Sequence, residues 1–122
     1  MKIAFLTFLL LISSAAFPQS PSPATTQEVG QLFVALKQSK CEFFRNGSWY
    51  DAQKASEHLQ RKYDYLLKKG LVTSTETFIE LAATKSSISG KPYQVRCGKA
   101  PAQSSQSWFA SKLKALRGNG RR

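Results

Sequence analysis

Two cysteines place the strongest constraint on how this chain can fold. Cys41 and Cys97 are its only cysteines, and the C-x-x-C spacing typical of redox proteins is absent. We expect a disulfide between them, with free or reactive thiols as the alternative. Closing so large a loop would stabilise the fold by about 4 kcal/mol through loop-closure entropy. A bridge would also bring the segment that ends at Cys97 beside the segment that begins at Cys41.

The N-terminus supports a disulfide because it has the pattern of a secretory leader. Met1 and Lys2 precede an apolar run from Ile3 to Ile12, and small residues follow as far as Ala16. This order is typical of a signal peptide over residues 1–16, and the run is too short to span a membrane. We therefore expect cleavage after Ala16 and a periplasmic or secreted product without a transmembrane span. Disulfides persist in such compartments.

Capping signals predict where helices begin. Residues 17–25 are rich in Pro and Ser, which predicts a linker. Thr25 and Glu28 form a capping box at the start of an amphipathic helix. Thr73 and Glu76 repeat the pattern before a shorter apolar segment. The linker should therefore end where the first helix of a domain over residues 26–98 begins.

Strand signals complete the expected fold. Aromatic residues flank Asn46–Gly47, which predicts a β-hairpin over residues 42–50. Asp51 is then placed to cap a helix. Residues 92–97 predict a third strand that starts at a proline, which suits either an edge strand or the first residue of a strand. We expect an α+β fold in which this small antiparallel sheet packs with three to four helices.

The charge of the chain favours anionic partners. It carries 18 Lys and Arg against 7 Asp and Glu, a net charge of +11. Residues 99–122, expected to form a basic helix and tail, contain no acidic residue. This helix either docks on the core, as a small domain short of buried area favours, or lies on an anionic membrane. The residues of the membrane-surface interpretation are Trp108, Phe109, Lys112, Lys114 and Arg117.

Several functional classes are excluded or disfavoured. One His and two Cys cannot build a four-ligand zinc site without carboxylates. The chain contains no Walker loop, G-x-S-x-G or H-E-x-x-H motif. We therefore expect no metal and no cofactor, and we expect a monomer. Nucleic acid is disfavoured as a partner because the chain is expected to be exported, although its pI is about 10.0.

Three segments supply candidate binding residues. His58 and Lys62 lie one turn apart on the second predicted helix. Arg45 and Asn46 lie at the predicted hairpin tip, where the turn itself demands only Asn and Gly. Lys91 and Tyr93 follow a loop rich in hydroxyl groups, which could bind a sugar, a peptide or a carboxylate. These six residues are the candidate binding site.

Each candidate also has an ordinary structural interpretation. We expect His58 to donate to a backbone carbonyl or a carboxylate, and Lys62 to cover the sheet with its stem. Arg45 would pair with a nearby acid, either Glu42 or Asp51. An alternative function is that of an envelope hydrolase or transferase that uses His58 with Glu57 or Asp51.

Four motifs resemble a known family. They are F-x-R-N-G from Phe43, A-x-x-H-L-x-x-K from Ala55, F-I-E from Phe78 and S-S-x-S-G-K-P-Y from Ser86. In this order they resemble the YfeK-like proteins, small exported bacterial proteins that form a domain family of unknown function. The resemblance spans residues 28–97 and does not include the segment from Lys99 onward. It implies an exported single domain with no activity or cofactor attached, and the two cysteines resemble a subgroup feature.

The sequence therefore predicts a small exported binding module. Its positive charge favours an anionic component of the cell envelope, or an acidic protein, as the partner. The hydrolase or transferase is the alternative from another class.

Overall fold

The computed structural model of the chain describes residue 4 and residues 20–119. Its helices are α1 (Pro23–Gln38), α2 (Ala52–Lys68), α3 (Thr75–Ala82) and α4 (Ser105–Asn119). Its strands are β1 (Glu42–Arg45), β2 (Ser48–Asp51), β3 (Gln94–Arg96) and β4 (Gln103–Ser104). This arrangement confirms the predicted α+β class. The expected leader, apart from Ala4, and residues 17–19 of the expected linker lie outside the described residues.

The hairpin forms where the sequence predicts it. β1 and β2 are antiparallel, with Phe43 opposite Tyr50 and Phe44 opposite Trp49. Asn46 and Gly47 connect them with φ angles of 48° and 87°. Two consecutive positive φ values are what a type I′ turn requires, and Asn followed by Gly tolerates them best.

The disulfide and the third strand also form as predicted. A disulfide joins Cys41 to Cys97, whose Cα atoms lie 4.3 Å apart. β3 runs antiparallel to β1 and places Val95 opposite Phe43. The bridge thus fastens the two strands at the end of the sheet where β1 begins.

The sheet is larger than expected, and β3 is not at its edge. The strand order is β2-β1-β3-β4, so β4 covers the far side of β3. The expected start of β3 at Pro92 is wrong, because the strand begins at Gln94 and Pro92 forms only an isolated bridge with Lys85. Proline has no N–H to donate to a strand ladder, which explains the later start.

Two of the three predicted helix starts need correction. The N-cap of α1 is Ser22, whose side chain accepts from the Thr25 backbone N–H, and Pro23 occupies the first turn. The helix thus begins inside the expected linker. The N-cap of α3 is Ser74 rather than Thr73. Asp51 caps α2 as predicted, accepting from the Lys54 N–H at 2.8 Å.

The helices bury their apolar faces in one shared core. α1 packs on the other three helices, α2 on β1 and β2, and α4 on β3 and β4. Trp108, Phe109 and Leu113 of α4 are each at most 4% exposed, and Trp108 meets Phe43 edge to face at 5.6 Å. α4 is therefore docked, and the core continues past the expected domain boundary at residue 98.

Docking removes the apolar surface on which the membrane interpretation of α4 depends. A helix binds a bilayer surface through an exposed apolar face, and here Trp108 and Phe109 face the core. In the described part of the chain, no helix is long and apolar enough to cross a membrane.

Candidate functional site

Four of the six candidate binding residues meet at one end of the sheet. Phe44 pairs with Gln94 across β1 and β3, and one further step along this register brings Arg45 opposite Tyr93. His58 and Lys62 lie one turn apart on α2, which packs on the strands β1 and β2. The strand register and the helix face thus bring together residues from three separate segments.

Hydrogen bonds join the four side chains into one network. Arg45 Nη1 lies 2.9 Å from His58 Nδ1, and His58 Nε2 lies 3.1 Å from Tyr93 Oη. Lys62 Nζ donates to Tyr93 Oη at 3.3 Å and to the Lys85 carbonyl at 3.1 Å. We call these residues, Arg45, His58, Lys62 and Tyr93, the cation cluster.

The donor groups in this hydrogen-bond network determine which ring nitrogen of His58 carries the proton. A guanidinium group can only donate, so Nδ1 of His58 accepts from Arg45 and the ring proton lies on Nε2. Nε2–H then donates to Tyr93 Oη, which also accepts from Lys62. Because both of these bonds use the phenol oxygen as acceptor, the Tyr93 proton is left to donate to a further group.

The electrostatics of the cluster favour neutral groups over cations. Burial, followed by the charges of Arg45, Lys62 and Arg61, lowers the pKa of His58 to about 4. Burial, followed by the charge of Arg45, also lowers the pKa of Lys62. Burial raises the pKa of Tyr93, which the charge of Arg45 opposes. At neutral pH, His58 is therefore an uncharged link between basic groups.

A small cavity of about 30 Å³ opens beside the cluster. Arg45, His58 and Tyr93 line it together with Tyr50 and Lys54, and Arg45 lies 4.9 Å over the Tyr50 ring. The volume matches roughly one water molecule, so the interior holds no sizeable ligand. No carboxylate belongs to the described residues that line it. The described lining is largely apolar, and its two charged side chains, Arg45 and Lys54, are both basic.

The other two candidates lie beside the cluster and not in it. Asn46 Oδ1 accepts from Ser89 Oγ at 2.8 Å, which ties the hairpin tip to the loop before Tyr93. Lys91 is exposed in that loop, and its backbone N–H donates to Ser89 Oγ at 3.2 Å. Sequence reasoning missed Lys54, which enters the cavity wall only through the packing of α2 on the hairpin.

The expected partners of Arg45 and His58 were wrong. Glu42 pairs with Arg96 at 3.1 Å, and Asp51 caps α2, so neither holds Arg45. His58 bonds to Arg45 and Tyr93 instead of a carbonyl or a carboxylate. Within the described residues, the alternative function therefore lacks the carboxylate beside His58 on which it depends: Glu57 bonds to Gln53.

The basic residues of α4 have other partners. Arg117 forms ion pairs with Glu28, at 2.9 Å, and with Glu76. Lys112 lies 5.3 Å over the Trp108 ring. Lys114 lines a groove of about 620 Å³ between α3 and α4, in which Glu76 and Glu80 supply negative charge. This face is mixed in charge, so it suits an anion less well than the cation cluster does.

The described residues give no evidence of a metal site. Within the stretches that the structure describes, no group of three or more His, Cys, Asp or Glu side chains comes close enough to hold a metal ion. Acidic side chains are also missing from the cluster itself.

The chain matches one family over most of its length. A family of unknown function, DUF5329, is matched over residues 23–117. The match begins at the first residue of α1 and ends within α4, so it covers every helix and strand of the described core. No curated protein and no solved structure matches the chain.

Proposed function

We propose a binding function for this chain, which belongs to the family of unknown function DUF5329: it is an exported module that binds an anionic group of the cell envelope at the cation cluster. The observation that carries the proposal is the convergence of Arg45, His58 and Tyr93 on one cavity whose described lining holds no carboxylate, with Lys62 bonded to Tyr93 beside it. Arg45 comes from β1, His58 and Lys62 from α2, and Tyr93 from the residue just before β3, so one packed core holds the site in place.

The cluster keeps hydrogen-bond donors that its internal bonds do not use. Lys62 has three N–H donors and spends two, on Lys85 and Tyr93. Arg45 uses one of five on His58, and in the hydrogen bonds of the described residues the Tyr93 O–H is not used as a donor. Charged donors with fixed geometry are the groups that proteins use for carboxylate and phosphate. An anion would also relieve the repulsion among the basic groups.

The proposed cellular setting has separate support. Residues 1–16 have the composition of a cleaved leader. The Cys41–Cys97 disulfide is of the kind that persists outside the cytosol. The resemblance to YfeK-like proteins also implies export. An envelope offers phosphate and carboxylate groups at its surfaces, which fit the charge of the site.

Titration with inorganic phosphate tests the proposal. Amide and imidazole NMR signals of the chain from residue 17 onward would be followed at constant ionic strength. We expect saturable shifts centred on Arg45, His58 and Tyr93. We also expect the pKa of His58 to rise towards its ordinary value as phosphate binds, because a nearby anion stabilises the imidazolium form.

Matched variants separate the site from general surface charge. Lys62→Met and Arg45→Gln should each weaken phosphate binding at least about tenfold, since each removes a charged donor. Lys68→Met removes an exposed lysine from the last turn of the same helix and should leave binding unchanged. Equal losses in Lys62→Met and Lys68→Met, or shifts that never saturate, would contradict the proposal. Thermal unfolding of each variant confirms that the fold is retained.

A further inference from the structure

One apolar side chain stands apart from the others at the surface. Ile88 is 93% exposed, whereas the other large exposed apolar residues that the structure describes, on α1, α2, α3 and the α2–α3 connection, lie between 41% and 58%. It occupies the tip of the loop between α3 and β3, from Thr84 to Lys91, which we call the isoleucine loop.

Internal hydrogen bonds hold the isoleucine loop in place. Ser86 is buried, and its Oγ accepts from the backbone N–H groups of Ile88 and Ser89, both at 3.2 Å. Its backbone carbonyl accepts from the Gly90 N–H, and its own N–H donates to the Lys91 carbonyl. The loop thus presents Ile88 on a structured turn, so little ordering entropy would be lost when that side chain is buried by a partner.

The isoleucine loop is fastened to the cation cluster. Lys62 donates to the Lys85 carbonyl, and the Tyr93 N–H donates to the Thr84 carbonyl at 3.0 Å. Ser89 bonds to Asn46 at the hairpin tip. The exposed isoleucine and the anion site are therefore parts of one structural unit.

The charge around Ile88 is of one sign. Lys85 and Lys91 lie on either side of Ile88 in the loop and are both exposed. After Glu80 the sequence contains no acidic residue, and the hairpin from Phe43 to Tyr50 contains none either. An apolar tip between lysines complements a surface that is negatively charged outside and apolar beneath, which describes an anionic bilayer. An acidic protein would complement the charge of the two lysines, but negative charge alone would not bury the Ile88 side chain.

We propose that the isoleucine loop docks on an anionic phospholipid surface, with Ile88 inserted below the headgroups and Lys85 and Lys91 beside the lipid phosphates. A second part of this proposal rests on the proposed function: while the loop is docked, the cation cluster binds the phosphate of a lipid headgroup. Anchoring through α4 is not needed, because its apolar face already packs in the core.

Vesicle binding tests the insertion. The chain from residue 17 onward, which keeps every packed element, would be sedimented with phosphatidylglycerol–phosphatidylcholine vesicles and with pure phosphatidylcholine vesicles. We expect binding to the anionic vesicles that weakens with salt, and none to the neutral ones. Ile88→Ser should weaken binding about tenfold, as expected for withdrawing one isoleucine from an apolar environment. Val34→Ser, which removes an apolar side chain 52% exposed on α1, should leave binding unchanged.

Brominated lipids give a direct measure of depth. Ile88→Trp should show tryptophan quenching by acyl-chain bromine that Val34→Trp lacks. Lys85→Gln and Lys91→Gln should each reduce binding about fivefold, since each lysine near the surface contributes about that factor.

The outcomes distinguish this proposal from the proposed function. If Ile88→Ser binds vesicles like the wild type, or Ile88→Trp is not quenched, insertion is refuted. If inorganic phosphate binds at the cluster but no vesicle binds, the anion site stands and the membrane proposal fails in favour of a protein or soluble partner. If vesicles bind through Ile88 while Lys62→Met has no effect on either ligand, the loop proposal stands and the proposed anion site is wrong.

Discussion

Removing α4 should unfold the domain and not merely detach it from a surface. The perturbation is a chain that ends at Ala102, compared with the chain from residue 17 to residue 122. The truncation deletes Trp108, Phe109 and Leu113, which are 4%, 1% and 4% exposed. It also deletes Arg117, which pairs with Glu28 of α1 and Glu76 of α3.

The packing of these residues sets the size of the effect. Truncating one buried Phe or Trp to alanine costs about 3–5 kcal/mol, and one buried Leu about 2–5 kcal/mol. The three together are worth about 8–15 kcal/mol, less where Trp108 and Phe109, whose rings lie 4.9 Å apart, share one cavity. A domain of about 100 residues has a total stability of about 5–15 kcal/mol. The truncated chain should therefore have no cooperative folded state.

Urea unfolding measures the effect. Far-UV circular dichroism and the fluorescence of Trp49, which the truncation retains, would be followed together. The single variant Phe109→Ala should fold but lose about 3–5 kcal/mol, whereas Lys114→Ala, at an exposed position of the same helix, should change stability by less than about 0.5 kcal/mol. A truncated chain that unfolds cooperatively near the wild-type midpoint would refute this account of α4 and restore its interpretation as a surface helix.

Three further perturbations have defined outcomes. The double variant Cys41→Ala/Cys97→Ala should lose about 4 kcal/mol of unfolding free energy, because the bridge closes a loop with a sequence separation of 56; urea midpoints that coincide with the wild type would contradict this. The pKa of His58 is lowered to about 4 in the folded protein, so the unfolded state binds the proton more readily and stability should fall as pH drops from about 6.5 to 4. Because His58 is about half exposed and solvent screens its charge, the expected loss of unfolding free energy is about 1–2 kcal/mol. The loss is measured as the difference from His58→Gln, in which the carboxylates titrate as they do in the wild type. Parallel curves of stability against pH for the two proteins would show that His58 does not cause the loss. Gly47→Ala should cost about 1 kcal/mol, because Gly47 has a φ of 87° with no atom near its Cβ position, while Gly30→Ala, in the middle of α1 with equal space, should stabilise by about 0.5–1 kcal/mol. Thermal melts that shift in the same direction for the two glycine variants would oppose this reasoning.

Local signals predicted most of the fold because they act within a few residues. The Asn46–Gly47 turn and the Asp51 cap depend on the backbone of their own segments, and both form as predicted. Where two hydroxyl residues competed as caps, the prediction was displaced by one to three residues, as with Ser22 in place of Thr25. Thr25 is buried, so its side chain serves packing within the first turn instead of capping the helix.

Local sequence signals do not predict which distant segments of the chain pair with each other. β4 has two residues, and it becomes a strand only because Gln103 lies opposite Val95. The same limit applies to the cation cluster. Arg45, His58, Lys62 and Tyr93 were each predicted as candidates, but their meeting depends on the register of β1 with β3 and on which face α2 presents to the hairpin. No periodicity in the sequence fixes either quantity.

The composition of the cation cluster argues for a binding role over a purely structural one. Burial lowers the pKa of Lys62, which means that at neutral pH the fold loses stability by holding this amine there. A neutral hydrogen-bonded pair, or an acid placed against Arg45, would link α2 to the sheet with a smaller loss of stability. Here the residue between Arg45 and Tyr93 is an imidazole kept neutral, and the positive charge beside it is uncompensated by any described carboxylate lining the cavity. An anionic ligand would offset that cost directly, which is why we propose that this cluster binds an anion.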